Sequence, residues 1–188
     1  MIRADYTDKE LVVDILTNSF DDNRSVNYIV RNDKRRAERI RNLMRYSFNV
    51  CNHFGKVVVS ENKKACALIL FPDKKRTTIK SFLWDLQLVK NCVGIKGISK
   101  AMSREKRIKA LQPKEPLYYL WFIGVSPDAQ NKGIGGVLLS EIISDTEAEG
   151  RTLCLETSTE KNISWYQKFG FTIYDELDLG YRLFFLKR

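Results

Sequence analysis

Val125-Ser126-Pro127-Asp128-Ala129-Gln130-Asn131-Lys132-Gly133-Ile134-Gly135-Gly136-Val137-Leu138-Leu139 carries the chain from an apolar strand, through a glycine loop, into a helix. The strand side is Leu117 to Val125 (Leu-Tyr-Tyr-Leu-Trp-Phe-Ile-Gly-Val), apolar enough to be buried on both faces. Gly124 inside it suggests a bulge or a close backbone approach. On the helix side, Ile134, Leu138 and Ile142, with Gly135, Leu139 and Ile143 beside them, repeat every four residues. Gly150 ends that helix. Glycines at such a turn let a ligand approach the backbone, and the helix N-terminus adds free N–H groups and partial positive charge. A diphosphate suits it. The spacing excludes a Walker A loop, which needs Gly-x-x-x-x-Gly-Lys-Ser/Thr. A dinucleotide fingerprint begun at Gly133 fails at Leu138, although Glu156 ends a strand about where a ribose-binding acid would lie. Alone, the loop leaves a phosphate site, a dinucleotide site and an unliganded turn open.

Working outward, Thr7 or Asp8 caps a first helix to about Phe20, and a second helix covers Arg35 to Phe54 with Gly55 as its C-cap. Lys56–Ser60 and Ala65–Phe71 form a hairpin around the polar turn Glu61–Lys64. Residues 77–111 are helical in character and broken near Gly94 and Gly97. They are too long for a simple connection and read as a helical insertion. After the glycine loop come a strand at Thr152–Ser158, a short helix at Asn162–Phe169, and strands around Phe171–Tyr174 and Tyr181–Leu186. No internal repeat appears. Residues 1–188 read as a single α/β (α+β) domain.

Composition narrows the class. At 188 residues and 44% hydrophobic, the chain has room for a real core. No apolar run spans a bilayer and no leader is apparent, so a cytoplasmic protein with no membrane partner is expected. Cys51, Cys66, Cys92 and Cys154 are scattered without a Cys-x-x-Cys pair, and His53 is the only histidine, so no metal is expected. The formal charge of +9 is unevenly placed, in residues 31–45 and again from Lys90 to Lys114. These stretches lack interleaved aromatics and match no nucleic-acid motif, so solvated helix faces are expected rather than a nucleic-acid partner. A phosphate-rich cofactor would also exploit a positive field.

The block from Val125 to Leu139 resembles the central motif of the GNAT superfamily of acyl-CoA N-acyltransferases, Gln/Arg-x-x-Gly-x-Gly/Ala after a Val-x-Pro strand end. Leu155-Glu156-Thr157-Ser158, then Asn162, then Trp165-Tyr166-Gln167-Lys168-Phe169-Gly170-Phe171 is similar to the family's second signature. From Pro113 to Phe171 the similarity is closest to the branch containing puromycin N-acetyltransferase. Asn131 stands where that branch more often has a small or basic residue, and Trp165 where a smaller apolar one is usual.

The resemblance implies a GNAT-like mixed, mostly antiparallel twisted sheet with flanking helices. It implies acetyl-CoA as acyl donor, without metal, and direct transfer to a primary amine of a small molecule or peptide, by a monomer or homodimer. The diphosphate would rest on backbone N–H groups of Gln130, Asn131, Lys132, Gly133, Ile134, Gly135 and Gly136. The pantetheine arm would pair with backbone groups of Ile123 and Val125, with Gly124 leaving the approach clear, and with Asn162, which otherwise is an N-cap. Tyr166 would donate to the leaving thiolate. Glu156 is the candidate base: alternation puts it with Thr152, Cys154 and Ser158 on one strand face. Acceptor binding and a structural ion pair are its alternatives. Tyr118 and Tyr119 face opposite ways, and one of them could line the acceptor site. The competing functional reading is an acyl-CoA-binding sensor domain without catalysis.

Overall fold

The computed structural model describes all residues 1–188. Its elements run β1 (Ile2–Arg3), α1 (Lys9–Ser19), α2 (Arg24–Ile29), α3 (Arg36–Phe54), β2 (Gly55–Val59), β3 (Ala65–Leu70), α4 (Ile79–Leu88), α5 (Ile98–Leu111), β4 (Leu117–Val125), α6 (Ile134–Glu149), β5 (Thr152–Thr157), α7 (Ile163–Gln167), β6 (Thr172–Asp178) and β7 (Arg182–Lys187). The strands form one sheet in the order β1-β2-β3-β4-β5-β7-β6. Every neighbouring pair is antiparallel except β4 and β5. This is the expected mixed sheet, mostly antiparallel, with flanking helices.

Alternation along β2 and β3 divides the core between the two faces. Val57, Val59, Cys66, Leu68 and Leu70 pack under α1 and α3 with Val12, Leu16, Met44 and Phe48. Val58, Ala65, Ala67 and Ile69 pack under α6 with Leu138, Leu139 and Ile142. A smaller cluster, Ile108 with Leu183 and Phe185, seats α5 against β7. No helix is long and apolar enough to cross a membrane.

The structure gives two local expectations their physical cause. Gly55 is the C-cap of α3, as expected, and at φ −167° and ψ −131° it leads α3 straight into β2. The glycine is needed for space, because a Cβ there would stand 2.1 Å from the Ile69 carbonyl oxygen. Backbone has to yield, so Gly55→Ala is expected to lower unfolding free energy by about 2–3 kcal/mol. A denaturant titration with unchanged slope would read this as a shifted midpoint.

At Gly124 the structure decides between a bulge and a close approach, in favour of the latter. The bulge in β4 lies elsewhere: the β3–β4 register pairs Leu68 with Phe122 but Ile69 with Leu120, leaving Trp121 as the extra residue. Trp121 and Phe122 consequently pack on the same side of the sheet, toward α1 and α3, while Leu120 and Ile123 pack toward α6. Gly124 is instead where α1 comes close. A Cβ on it would lie 3.0 Å from both Leu16 Cδ2 and Ser19 Oγ. The glycine makes room for α1.

The sequence expectation passed over β1 and α2, which are short. Residues 77–111 do form two helices, with a break where Gly94 takes φ 73°.

Candidate active site

β4 and β5 start side by side and then part. Leu117, Tyr118 and Tyr119 pair with Thr152, Leu153 and Cys154, and no pairing follows, although β4 continues to Val125 and β5 to Thr157. The bulge at Trp121 bends β4 while β5 stays paired to β7 through Thr157. Ser126 N–H donates to Lys64 C=O at 2.8 Å. In that antiparallel register the backbone polar groups of Ile123 and Val125 point away from β3, into the gap. The Val125 carbonyl already accepts from Ser19 Oγ (3.0 Å) and Gln130 Nε2 (3.2 Å). The gap therefore offers a bare strand edge, minus that one carbonyl.

The glycine loop borders the same end of β4. The N–H groups of Gln130, Asn131, Lys132, Gly133, Ile134 and Gly135 donate to nothing within the chain. The Gly136 N–H differs, since it donates to Gly133 C=O at 3.0 Å. Six consecutive free donors at a helix N-terminus form an anion cradle. Two left-handed residues shape it: Asn131 at φ 60° and Gly133 at φ 78°. Asparagine is among the few non-glycine residues that adopt this conformation readily. Gly135 lets α6 approach β4, a Cβ there lying 3.2 Å from Val125 Cγ2. Lys132 is turned back, its Nζ donating to Asp128 C=O at 2.8 Å.

On the opposite side, the gap opens into a cavity of about 960 Å³ between the sheet and the helices α2 to α5. Ile123, Glu156, Ser158, Asn162 and Tyr166 all line it. The Tyr166 ring is buried, held edge-on by Trp165 and Phe171. Its hydroxyl makes no hydrogen bond within the chain, and burial pushes its pKa well above the ordinary phenol value. Asn162 occupies the N-cap position of α7 but forms no side-chain cap bond, which leaves its amide free at the cavity wall. The N-cap reading of its position therefore holds, without the capping hydrogen bond.

Glu156 is not in an ion pair. Its carboxylate accepts from the Tyr119 hydroxyl and from Gln112 Nε2, the latter at 3.1 Å. Burial raises its pKa, and the two hydrogen bonds oppose that without cancelling it. Tyr119 and Gln112 both line the cavity. Of the two tyrosines named from sequence, Tyr119 thus belongs to the site, whereas Tyr118 donates to Asp145 at 2.6 Å under α6. Gln112 carried no sequence signal, as it lies just past α5 and reaches Glu156 only across the fold. Further along the wall, Tyr119 stacks near Trp121 at 6.5 Å, Trp121 meets Tyr46 at 6.4 Å, and the Tyr46 hydroxyl donates to Asp85 at 2.8 Å. An aromatic wall therefore runs between two carboxylates.

Other candidates fall outside the site. Cys154 is buried, its thiol pushed up by desolvation, and is no nucleophile. His53 lies in the last turn of α3 against Phe54 and Trp84. No group of three or more histidine, cysteine or acidic side chains is placed to hold a metal.

Comparison with known proteins bears on these features. Residues 90–173, which run from the end of the first insertion helix through α7 into β6, match a family model described as an acetyltransferase (GNAT) domain. A curated relative, a probable serine/threonine-protein kinase from Dictyostelium discoideum, is 32% identical over 80 residues, which are 42% of this chain and 8% of that protein. The chain thus spans only a small part of that relative. Among solved structures, a histone acetyltransferase HPA2 and related acetyltransferase from Corynebacterium glutamicum superposes with TM-score 0.70 at 16% identity, covering 99% of this chain and 93% of that one. Arylalkylamine N-acetyltransferase 2 from Aedes aegypti gives 0.66 at 12% identity, covering 100% and 96%. The C-terminal condensation domain of Ebony, solved with beta-alanyl-dopamine, gives 0.69 at 11% identity, covering 100% and 96%. At these identities the likeness establishes the fold.

Proposed function

We propose that this protein moves an acetyl group from acetyl-CoA to a primary amine, a reading supported by the match of residues 90–173 to a model of an acetyltransferase (GNAT) domain and by the fold the chain shares with solved acetyltransferases. The observation that carries this reading is one continuous path. Six free N–H groups at the start of α6 lead to the unpaired edge of β4, and that edge leads to a cavity holding Tyr166 and Glu156. Diphosphate, extended amide-bearing arm and thioester would meet these features in that order.

In the reaction the amine nitrogen attacks the thioester carbon, and the C–S bond then breaks. A backbone N–H in the gap, from Ile123 or Val125, would polarise the thioester carbonyl. The sulfur leaves with the bonding pair and takes the Tyr166 hydroxyl proton, and the nitrogen, cationic after its attack, gives up its surplus proton to restore the tyrosine. Burial keeps Tyr166 protonated, so its hydroxyl is present as a hydrogen-bond donor to the sulfur. An alkyl ammonium has a pKa near 10 and cannot attack until it loses a proton. Glu156, whose raised pKa makes it a stronger base than an ordinary carboxylate, would accept that proton. Tyr119 and Gln112 orient its oxygens. The rest of the cavity, with Phe20, Tyr46 and Trp121 on its walls, favours an amine with an apolar or aromatic body. Membership of the branch that includes puromycin N-acetyltransferase is a finer reading, supported by the segment 113–171 alone.

Thiol release from acetyl-CoA, measured across aryl-alkyl amines, alkyl diamines, amino acids and peptide N-termini, tests the proposal. Turnover with at least one apolar amine is expected. Tight acetyl-CoA binding with no thiol released by any acceptor would favour the sensor reading instead.

A further inference from the structure

The two basic stretches have opposite fates in the fold. In residues 31–45 every arginine is paired: Arg31 and Arg39 with Asp33, Arg35 with Glu38, Arg36 with Asp21, Arg41 with Glu10 and Asp14, Arg45 with Glu10. The second stretch, Lys90 to Lys114, is left largely bare, and the same holds upstream of it, across residues 74–109. They hold eleven basic side chains against two acidic ones, a surplus of nine that equals the net charge of the whole chain, so the remainder is neutral. Lys75, Arg76, Lys80, Lys90, Lys96 and Lys106 are all exposed, and none of them forms an ion pair; the only one in this segment joins Lys109 to Glu105.

The same segment carries six of the chain's ten exposed large hydrophobic residues: Ile79, Phe82, Leu83, Leu86, Ile95 and Met102, each at least half exposed. Four of them fall at i, i+3, i+4 and i+7 of α4 and so share one face. The opposite face of α4 is already used, with Ser81 buried and Trp84 and Leu88 packed on the core. A helix that is apolar on both faces is expected to be covered on both.

We propose that this face of α4, with the lysines around it, docks on an anionic lipid membrane surface. An apolar helix face rimmed by basic residues is the arrangement that lies in a bilayer interface, with Phe and Leu in the acyl boundary and lysines at the headgroups. A second copy of the chain fits poorly, since two such faces would bring the whole positive surplus of both molecules together. An acidic protein partner fits less well than lipid, because lysine is depleted in protein interfaces and the rim is mostly lysine. Asp85, the one acidic residue of α4, is exposed but already accepts from the Tyr46 hydroxyl. The expectation of no membrane partner rested on the lack of a spanning segment, and docking on a surface requires none. Lys75, Arg76, Met102 and Lys106 also line the acceptor cavity, so docking would turn that cavity toward the bilayer.

Co-sedimentation with vesicles tests this, using phosphatidylcholine alone and phosphatidylcholine mixed with phosphatidylserine at moderate salt. Binding to the mixed vesicles only is expected. Phe82→Asp with Leu86→Asp should weaken it by at least about tenfold, and Lys80→Glu with Lys90→Glu by roughly fivefold per charge. Each variant alters exposed positions, so its thermal midpoint should match the parent. No binding to the mixed vesicles, equal binding to both kinds, or full binding by the Phe82/Leu86 variant overturns the proposal. So does concentration-dependent self-association, by sedimentation velocity, that the Phe82/Leu86 variant abolishes. Capture of poly-glutamate in place of vesicles would assign the face to acidic protein and equally overturn it.

Discussion

Glu156→Gln lowers kcat with a primary amine by about 100-fold or more at neutral pH and moves the acid limb of the pH profile upward. The magnitude is that of a positioned general base. In the parent protein, activity should fall as pH drops through the Glu156 pKa, which burial holds above the ordinary carboxylate value. In the variant only the amine's own ionisation, near pH 10, supplies free base. Its rate should therefore climb toward high pH and recover part of the loss. Stability should move the other way. A carboxyl whose folded pKa exceeds its unfolded pKa costs nothing below the unfolded value. Its cost grows as pH rises from there through the folded value, and is constant above. Glutamine removes that cost, so thermal midpoints should agree near pH 4 and favour the variant at pH 8. An unchanged acid limb would exclude the base role. Equal midpoints at pH 8 would show that the carboxylate is not desolvated.

The second large effect belongs to Tyr166→Phe. The ring fills its place between Trp165 and Phe171 by shape, and phenylalanine retains that shape. What disappears is a hydroxyl with no partner in the chain. Packing should persist, with acetyl-CoA affinity by calorimetry within about twofold of the parent, while kcat falls by about 100-fold. A more acidic leaving thiol would need the donor less, so an activated aryl thioester should recover much of the rate. An unchanged turnover number would remove Tyr166 from the chemistry.

The positions that matter most to these experiments differed in how readily they could be read. The row of free N–H groups was legible because its cause is local: Asn131 and Gly133 set the loop, and α6 begins where the four-residue repeat begins. Tyr166 and Asn162 came from the second signature. The alternation that put Glu156 with Cys154 is as local as the pleat itself. Gln112 and Tyr119 as partners of Glu156 were not legible together, since residues 44 and 37 positions away meet it only across the folded sheet. Nor was the Trp121 bulge, because in an apolar run of nine residues a slip of phase leaves no mark in hydrophobicity. Gly124 drew attention as the odd residue, yet α1 accounts for it.

The order of amino acids by itself determined a strand, a glycine loop and a helix able to receive a diphosphate, along with the helix and strand sequence around them. Those features follow from backbone preference and periodicity over a few residues. The tertiary structure alone decided that β4 and β5 part after three residue pairs, that Glu156 is desolvated and hydrogen-bonded rather than ion-paired, and that one basic stretch is neutralised while the other is left bare. Each of these depends on which distant groups come into contact, and contact sets both desolvation and charge pairing.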